Sequence, residues 1–175
     1  MANVYLAPYA VGKDGPWDSK TAAHLLRRSG FGASRQQISE AVESGLEDAV
    51  EDLFDDAEAQ EATFQDTFVR ISGSFVDFSD PGQLQSWWCY RMLTTSTPLK
   101  EKLTLFWHSH FATSYTKVED MYLMHLQSET LRKHAWGNFH DLLLAITKDP
   151  AMLLYLDGEA NTLPMAAPSI SPRPT

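Results

Sequence analysis

The sequence predicts a mainly α-helical fold, an orthogonal multi-helix domain, from three observations. Apolar residues recur at the three- and four-residue spacing of helices along most of the chain. Glycine and proline stand where such segments would end and begin, and no run shows the alternating pattern of a strand. With 175 residues, of which 43% are hydrophobic, the chain is long enough for one compact domain with a core.

The first part of the chain predicts three short helices. Ser19 is expected to cap the first helix, which ends at Gly30, and Ser34 is expected to cap the second, which ends at Gly45. From Leu46 onward, apolar residues at helical spacing alternate with acidic ones, which predicts an amphipathic surface helix.

The middle of the chain predicts a loop followed by two helices. Residues 71–83 mix small and turn-forming residues, which favours a loop, and a helix is expected over 83–95. Thr97 followed by Pro98 is typical of a capping residue and a first helical position, so a further helix begins there.

The last part predicts one long helix, a break and two further helices. The long helix covers 118–135, Gly137 interrupts it, and the next helix covers 138–147. Asp149 and Pro150 then repeat the pattern of a cap followed by proline. After residue 161 the chain has four prolines and no periodicity, which predicts disorder. The expected organisation is therefore an N-terminal extension (1–16), an α-helical domain (17–161) and a disordered proline-rich tail (162–175).

The charge of the chain is concentrated in its first half. Residues 1–82 hold fifteen acidic and six basic residues, and 40–66 holds eleven acidic residues and no basic one. Such a surface repels nucleic acid, so we expect no nucleic-acid partner. No stretch approaches the length of a membrane span and no signal peptide precedes the domain, so the chain as written is expected in the cytoplasm. Its single cysteine, Cys89, cannot form an intrachain disulfide.

Two histidines separated by one serine, His108 and His110, are the candidate site. Imidazole is the commonest transition-metal ligand and also titrates near neutral pH. On a helix, however, positions two apart differ by about 200° of rotation, so the two side chains diverge. The apolar spacing then predicts that His110 continues the core-facing stripe of Trp107, while His108 lies on the opposite side with Glu101. The pair could share a divalent metal if the backbone became extended after Trp107.

Three interpretations of the pair remain open: two divalent-metal ligands, structural histidines, or acid–base groups without a metal. A catalytic zinc site needs a third ligand. Three residues could supply one: His24, Asp157 and Glu159. Two further groups of residues could bind a ligand. The four tryptophans Trp87, Trp88, Trp107 and Trp136 could line a pocket, although tryptophans at helical spacing are more typical of a core. Arg27 and Arg28 could bind an anion, although stabilisation of a helix end is favoured over ligand binding.

Several long segments resemble one family in the right order. They are AHLLRRSGFG (23–32), PLKEKLTLFWHSHFATS (98–114), LRKHAWGNFHDLLLAI (131–146) and KDPAMLLYLD (148–157). Together they resemble the bacterial domain-of-unknown-function family 1800, from about Trp17 to Asn161.

The resemblance implies an uncharacterised protein of unknown biochemical function, the N-terminal part of a longer helical protein that is truncated or frameshifted here. Relatives are usually longer, continue into an Asn-Glu-Asn block and often look exported. Two alternatives stay open: a fragment of a metal-assisted hydrolase using His108 and His110, or a helical binding or scaffolding module for an exported protein partner. The sequence leaves open the oligomeric state and whether the chain is an enzyme.

Overall fold

The computed structural model describes residues 7–54 and 80–158, and in these ranges the chain is helical, so the mainly α prediction is confirmed. No strand occurs there; a single isolated bridge joins Val11 and Gly15. The helices in the described ranges are α1 (Ser19–Ser29), α2 (Arg35–Ser44), α3 (Leu46–Glu51), α4 (Pro81–Thr94), α5 (Pro98–Phe111), α6 (Tyr115–Val118), α7 (Met121–Lys133), α8 (Phe139–Thr147) and α9 (Pro150–Tyr155).

The ends of α1 and α2 follow from local capping chemistry. Asp18 caps α1 through its side chain, which accepts the Lys20 and Thr21 N–H groups, so Ser19 is the first helical residue and not the expected cap. Asp18 is the cap in place of Ser19 because its carboxylate accepts hydrogen bonds from two backbone N–H groups and is stabilised by the positive end of the helix dipole. Ser34 caps α2 as predicted and forms a capping box with Gln37.

Helices α1, α2 and α3 pack closely because small residues meet at their centre. Ala22, Ala41 and Ala49 are all buried there, and larger apolar side chains surround them. Contacts between α1 and α5 join these three helices to the rest of the molecule. In one of them, Lys102 Nζ on α5 donates to the Arg27 carbonyl at 3.1 Å.

The loop predicted over 71–83 lies mostly outside the described residues, and its last three residues are helical. Helix α4 begins at Pro81, with the Asp80 side chain accepting the Gly82 N–H. Proline at the first helical position removes an N–H that would have no partner there. The helix expected over 83–95 is therefore confirmed, starting two residues earlier.

The prediction of one long helix over 118–135 is wrong, because the chain forms two separate helices there, α6 and α7. Glu119 has a φ of 54°, which places it in the left-handed region and ends the short α6. The Asp120 side chain then accepts the Leu123 N–H at 2.9 Å and starts α7. An N-cap inside an apolar-periodic run thus divides the helix, a signal that periodicity alone does not carry.

The C-terminal helices share a compact apolar core. Leu131, Leu142, Ile146 and Met152 are buried together, and Trp107 packs against them from α5. Helix α7 is central to this region because it contacts the neighbouring helices α4, α5, α6, α8 and α9.

Helix α9 begins as predicted and is tied to α7 through its cap. The buried Asp149 side chain accepts the Met152 N–H at 2.9 Å and the Gln127 Nε2–H at 2.8 Å. A cap that also accepts a bond from another helix fixes the position of α9 as well as its start.

Helix α5 buries a polar face, which contradicts part of the stripe expected from apolar spacing: Trp107 packs against the core as expected, but His110 is exposed. Glu101 and Thr104 are 0% exposed, whereas Phe106 is 55% exposed. Glu101 turns inward because Arg91 on α4 and Arg132 on α7 both donate hydrogen bonds to its carboxylate. A buried carboxylate with two guanidinium partners is satisfied, so it replaces an apolar residue at this position.

Residues 1–6, 55–79 and 159–175 lie outside the described residues, and with them the whole of the predicted proline-rich tail. The predicted boundaries at 16 and 161 stay predictions. Across the two described ranges, no helix combines the length and the apolar character that crossing a bilayer requires.

Candidate functional site

A cavity of about 300 Å³ lies between α4, the C-terminal end of α5, α6 and α7, and we call it the His108 pocket. It has aromatic and thioether walls with hydroxyl, amide and imidazole groups among them. Its lining residues are Pro81, Leu84, Gln85, Trp87, Trp88, His108, Thr113, Ser114, Tyr115, Thr116, Met121, Met124 and Ser128.

The two histidines of the candidate pair lie on different surfaces of one continuous helix. His108 is half-buried and lines the pocket, with its ring 5.0 Å from that of Trp88 in an edge-to-face arrangement. His110 is exposed and stacks on Phe106 with ring centroids 6.2 Å apart. The expectation that His110 is the core residue is therefore wrong: the polar inner face that begins at Glu101 continues to His108 at position i+7.

The turn after α5 brings hydroxyl groups to the pocket. Ala112 has a φ of 54°, and its N–H donates to the His108 carbonyl, which ends the helix in a left-handed cap. The chain then reverses, so Thr113 is buried and Ser114 caps α6 beside it. The Ser114 and Thr116 hydroxyls lie 2.8 Å apart. This local geometry places polar groups next to His108.

Among the buried polar side-chain atoms of the pocket residues, one has no hydrogen-bond partner in the described chain: the indole nitrogen Nε1 of Trp88. Two other tryptophans show the contrast. Trp17 Nε1–H donates to the Ala41 carbonyl at 3.0 Å, and Trp107 Nε1–H donates to the Ala135 carbonyl at 2.8 Å. An unsatisfied buried donor costs about 1–3 kcal/mol, so an acceptor that reached the Trp88 Nε1–H would be favoured.

The described residues that line the pocket include no aspartate, glutamate, lysine or arginine. Burial lowers the pKa of His108, because the charged imidazolium loses solvation in this setting. The imidazole is therefore neutral at pH 7, with one ring nitrogen able to donate and the other able to accept.

We expect His108 to titrate below 6.5, the value of an unperturbed imidazole, in an NMR titration of its ring proton. The unfolded chain takes up this proton near 6.5 and the folded chain resists it. The stability contributed by neutral His108 is thus complete above that pH and is lost as the pH falls through the folded pKa. His108→Gln removes this part of the pH dependence, and the exposed His110→Gln keeps it. A His108 pKa above 6.5 would contradict the prediction.

A buried ionic network supports one wall of the pocket. Arg132 Nη2 donates to Glu101 Oε2 at 3.1 Å and Arg91 Nε donates to Glu101 Oε1 at 2.6 Å. The Arg132 guanidinium lies 5.9 Å from the ring of Trp87, and the His125 ring meets the same indole edge-on at 4.9 Å. Trp87 is thus held from two sides.

The network also sets the protonation states of its members. Burial alone would raise the pKa of Glu101, but hydrogen bonds and charge from Arg132 and Arg91 outweigh it and lower that pKa. Burial lowers the pKa of His125, and the charges of Arg132 and Arg91 act in the same direction against the opposing charge of Glu129. His125 is therefore neutral at pH 7.

The residues considered as metal ligands lie apart in the fold. His24 is exposed on α1, and Asp157 pairs at 2.8 Å with Lys117. Glu159 falls outside the described residues. Over residues 7–54 and 80–158, no group of three or more histidine, cysteine, aspartate or glutamate side chains is placed to hold a metal. Metal binding through His108 and His110 stays a prediction.

The sequence did not single out Arg91, Glu101 or Arg132. The spacing of the α5 residues could have indicated a buried polar face, since Glu101, Thr104 and His108 lie on one side of the helix at positions i, i+3 and i+7. Of the four candidate tryptophans, Trp87 and Trp88 line the pocket and Trp107 packs against the core. Trp136 does neither, and its ring lies beside Phe54 and Lys100.

A family model matches most of the chain. The family model described as "Protein of unknown function (DUF1800)" matches residues 24–166, which include every residue of the His108 pocket. No curated protein and no solved structure matches the chain.

Proposed function

The chain belongs to DUF1800, a family described as protein of unknown function, and we propose that it binds a small uncharged polar molecule in the His108 pocket. The observation that carries the proposal is the Trp88 indole N–H, a buried donor on a pocket residue without a partner in the described chain. A carbonyl or hydroxyl oxygen of the ligand accepts from this N–H, and the neutral imidazole of His108 forms the second polar contact.

The chemistry of the walls selects the class of ligand. An ion placed against walls that hold no charged side chain would lose several kcal/mol of solvation without an ionic partner. Trp87 and Trp88 offer aromatic surface for a ring. The volume of about 300 Å³ is at the lower end for small-molecule sites. These features favour a single ring that carries an amide, carbonyl or hydroxyl group.

The geometry supports binding better than nucleophilic catalysis. A catalytic nucleophile is hydrogen-bonded to its base, and no described hydroxyl, thiol or carboxylate makes such a bond with the His108 ring. The acidic first half of the chain further supports a ligand other than nucleic acid. A metal-assisted hydrolase, a scaffolding role for a protein partner and a cytoplasmic location stay predictions.

Three probes of one shape and different charge test the proposal: benzamide, benzoate and benzamidinium. In ¹H–¹⁵N spectra of the full chain, millimolar benzamide is expected to shift the indole N–H signal of Trp88. The signals of Trp17 and Trp107 stay in place, because neither residue lines the His108 pocket. Benzoate and benzamidinium are expected to shift none of the three signals at the same concentration.

Matched variants locate the binding. Trp88→Phe keeps the aromatic wall and removes the donor, so benzamide affinity is expected to fall roughly three- to tenfold. His108→Ala is expected to lower it by about tenfold or more, since both a hydrogen bond and a ring contact are lost. The control His110→Ala, two residues away on the same helix and outside the pocket, keeps the affinity. Equal binding of all three probes, or no shift at Trp88, contradicts the proposal.

A further inference from the structure

A second concavity, of about 540 Å³, lies on the opposite layer of the molecule, and we call it the Trp17 groove. It is formed by one face of α1, the first residue of α3 and the chain before α1. Its apolar surface comes from Tyr9, Trp17, Leu25 and Leu46.

The apolar walls of the groove are fixed before any ligand arrives. Trp17 Nε1–H donates to the Ala41 carbonyl at 3.0 Å, and the Tyr9 hydroxyl donates to the Pro16 carbonyl at 3.1 Å. Each ring is thus anchored to backbone by its polar end and presents its carbon face. A preformed apolar surface binds without paying to order its side chains.

Basic side chains border this apolar surface. Lys20, Arg27 and Arg28 line the groove and are exposed, in a chain whose net charge is −9. No carboxylate of the described residues forms an ion pair with any of the three. Their alkyl stems extend the apolar wall while their charged ends stay in water.

The two arginines are not needed to neutralise the end of α1. Lys102 Nζ, from α5, already donates to the carbonyls of Arg27 and Gly30 at that end. The lysine thereby offsets the negative end of the helix dipole, which would otherwise repel an anion. Arg27 and Arg28 are therefore available for a ligand, against the sequence-based preference for helix stabilisation.

We propose that the Trp17 groove binds a free single-chain anionic amphiphile, a molecule with an alkyl chain and a carboxylate. The alkyl chain lies along Trp17 and Leu25, and the carboxylate pairs with Arg27 and Arg28. An apolar groove with a cationic border is more complementary to such a molecule than to a neutral or cationic one with the same chain.

Octanoate, below its micelle concentration, is the probe. It is expected to shift the Trp17 indole N–H signal and to bind more tightly than 1-octanol, which has the same chain and no charge. Octylammonium, which has the opposite charge, and acetate, which has no chain, are expected to leave the signal unchanged. The Trp88 signal reports the other pocket, so the two proposals fail or succeed separately.

Removing the charges tests the role of the arginines. The double variant Arg27→Gln, Arg28→Gln is expected to bind octanoate about three- to tenfold more weakly, because two exposed ionic contacts are lost. The control double variant Arg35→Gln, Lys133→Gln removes the same charge from exposed positions outside the groove and keeps the affinity.

Three outcomes overturn the proposal. The first is equal octanoate affinity in both double variants. The second is octylammonium binding that matches octanoate binding. The third is binding to phosphatidylglycerol vesicles that depends on Arg27 and Arg28 while octanoate does not bind, which would make the groove a membrane contact.

Discussion

Replacing Glu101 with alanine is expected to lower the free energy of unfolding by about 3–5 kcal/mol. Glu101 is 0% exposed and is the common partner of Arg91 and Arg132, which are 0% and 3% exposed. Without the carboxylate, the two buried guanidinium groups lose their common ionic partner. Equilibrium unfolding in urea, followed by circular dichroism, measures the loss.

A control and a rescue separate charge from volume. Glu43→Ala removes an exposed carboxylate from α2 and is expected to change stability by no more than about 0.5 kcal/mol. The triple variant Arg91→Met, Glu101→Leu, Arg132→Met removes the three buried charges at similar volume and leaves only Glu129, the partly exposed partner of Arg132. It is expected to be about as stable as the wild type or more so, since buried ion pairs often contribute little net stability. A loss below about 1 kcal/mol in Glu101→Ala would show that the network is not buried as described.

Lowering the pH is expected to destabilise the protein by protonating the same carboxylate, that of Glu101. The lowered pKa of Glu101 means that the unfolded chain takes up its proton first, near 4.5, as the pH decreases. The stability from the ionised carboxylate is therefore complete above that pH and is lost as the pH falls through the folded pKa.

The starts of most helices could be predicted because they depend on neighbouring residues alone. Ser34 and Asp149 cap their helices through their side chains as expected, and Pro98 and Pro150 occupy first helical positions. Thr97 also lies at the predicted cap position, but its side chain makes no capping hydrogen bond. The one wrong cap, at α1, involved adjacent residues that can both accept backbone hydrogen bonds.

The orientation of α5 could not be predicted from its own residues. The apolar spacing placed Trp107 and His110 toward the core; Trp107 does pack there, but His110 is exposed. The most buried face holds Glu101 and Thr104, and His108 continues it. The choice depends on Arg91 and Arg132, which lie 10 and 31 residues away in the chain. A partner at such a separation changes which face is buried, and hydrophobic periodicity does not include it.

The candidate site was therefore half predicted. His108 was singled out as one of a pair, for a chemical reason that holds for any accessible imidazole. The pocket around it required α4 and α7 to meet the end of α5, which brings Trp88 and Ser128 next to a residue many positions away. Nothing in the local sequence specifies that α4 and α7 pack against the end of α5.

Leu142→Ala is expected to lower the free energy of unfolding by about 2–5 kcal/mol. Leu142 is 1% exposed and lies in the cluster formed with Leu131, Ile146 and Met152. Truncation removes buried apolar surface and leaves a cavity that the surrounding helices fill only in part. Urea unfolding followed by circular dichroism gives the difference directly.

The neighbouring Leu143→Ala is a matched control, because it makes the same chemical change in the same helix at a residue that is 41% exposed. Helix propensity changes equally in the two variants, so their difference measures burial alone. Leu143→Ala is expected to cost less than about 1 kcal/mol. Equal losses in the two variants would mean that α8 presents a different face to α7.

Neither residue lines the His108 pocket, so both variants that remain folded are expected to bind benzamide as the wild type does. Loss of stability can thereby be distinguished from loss of binding.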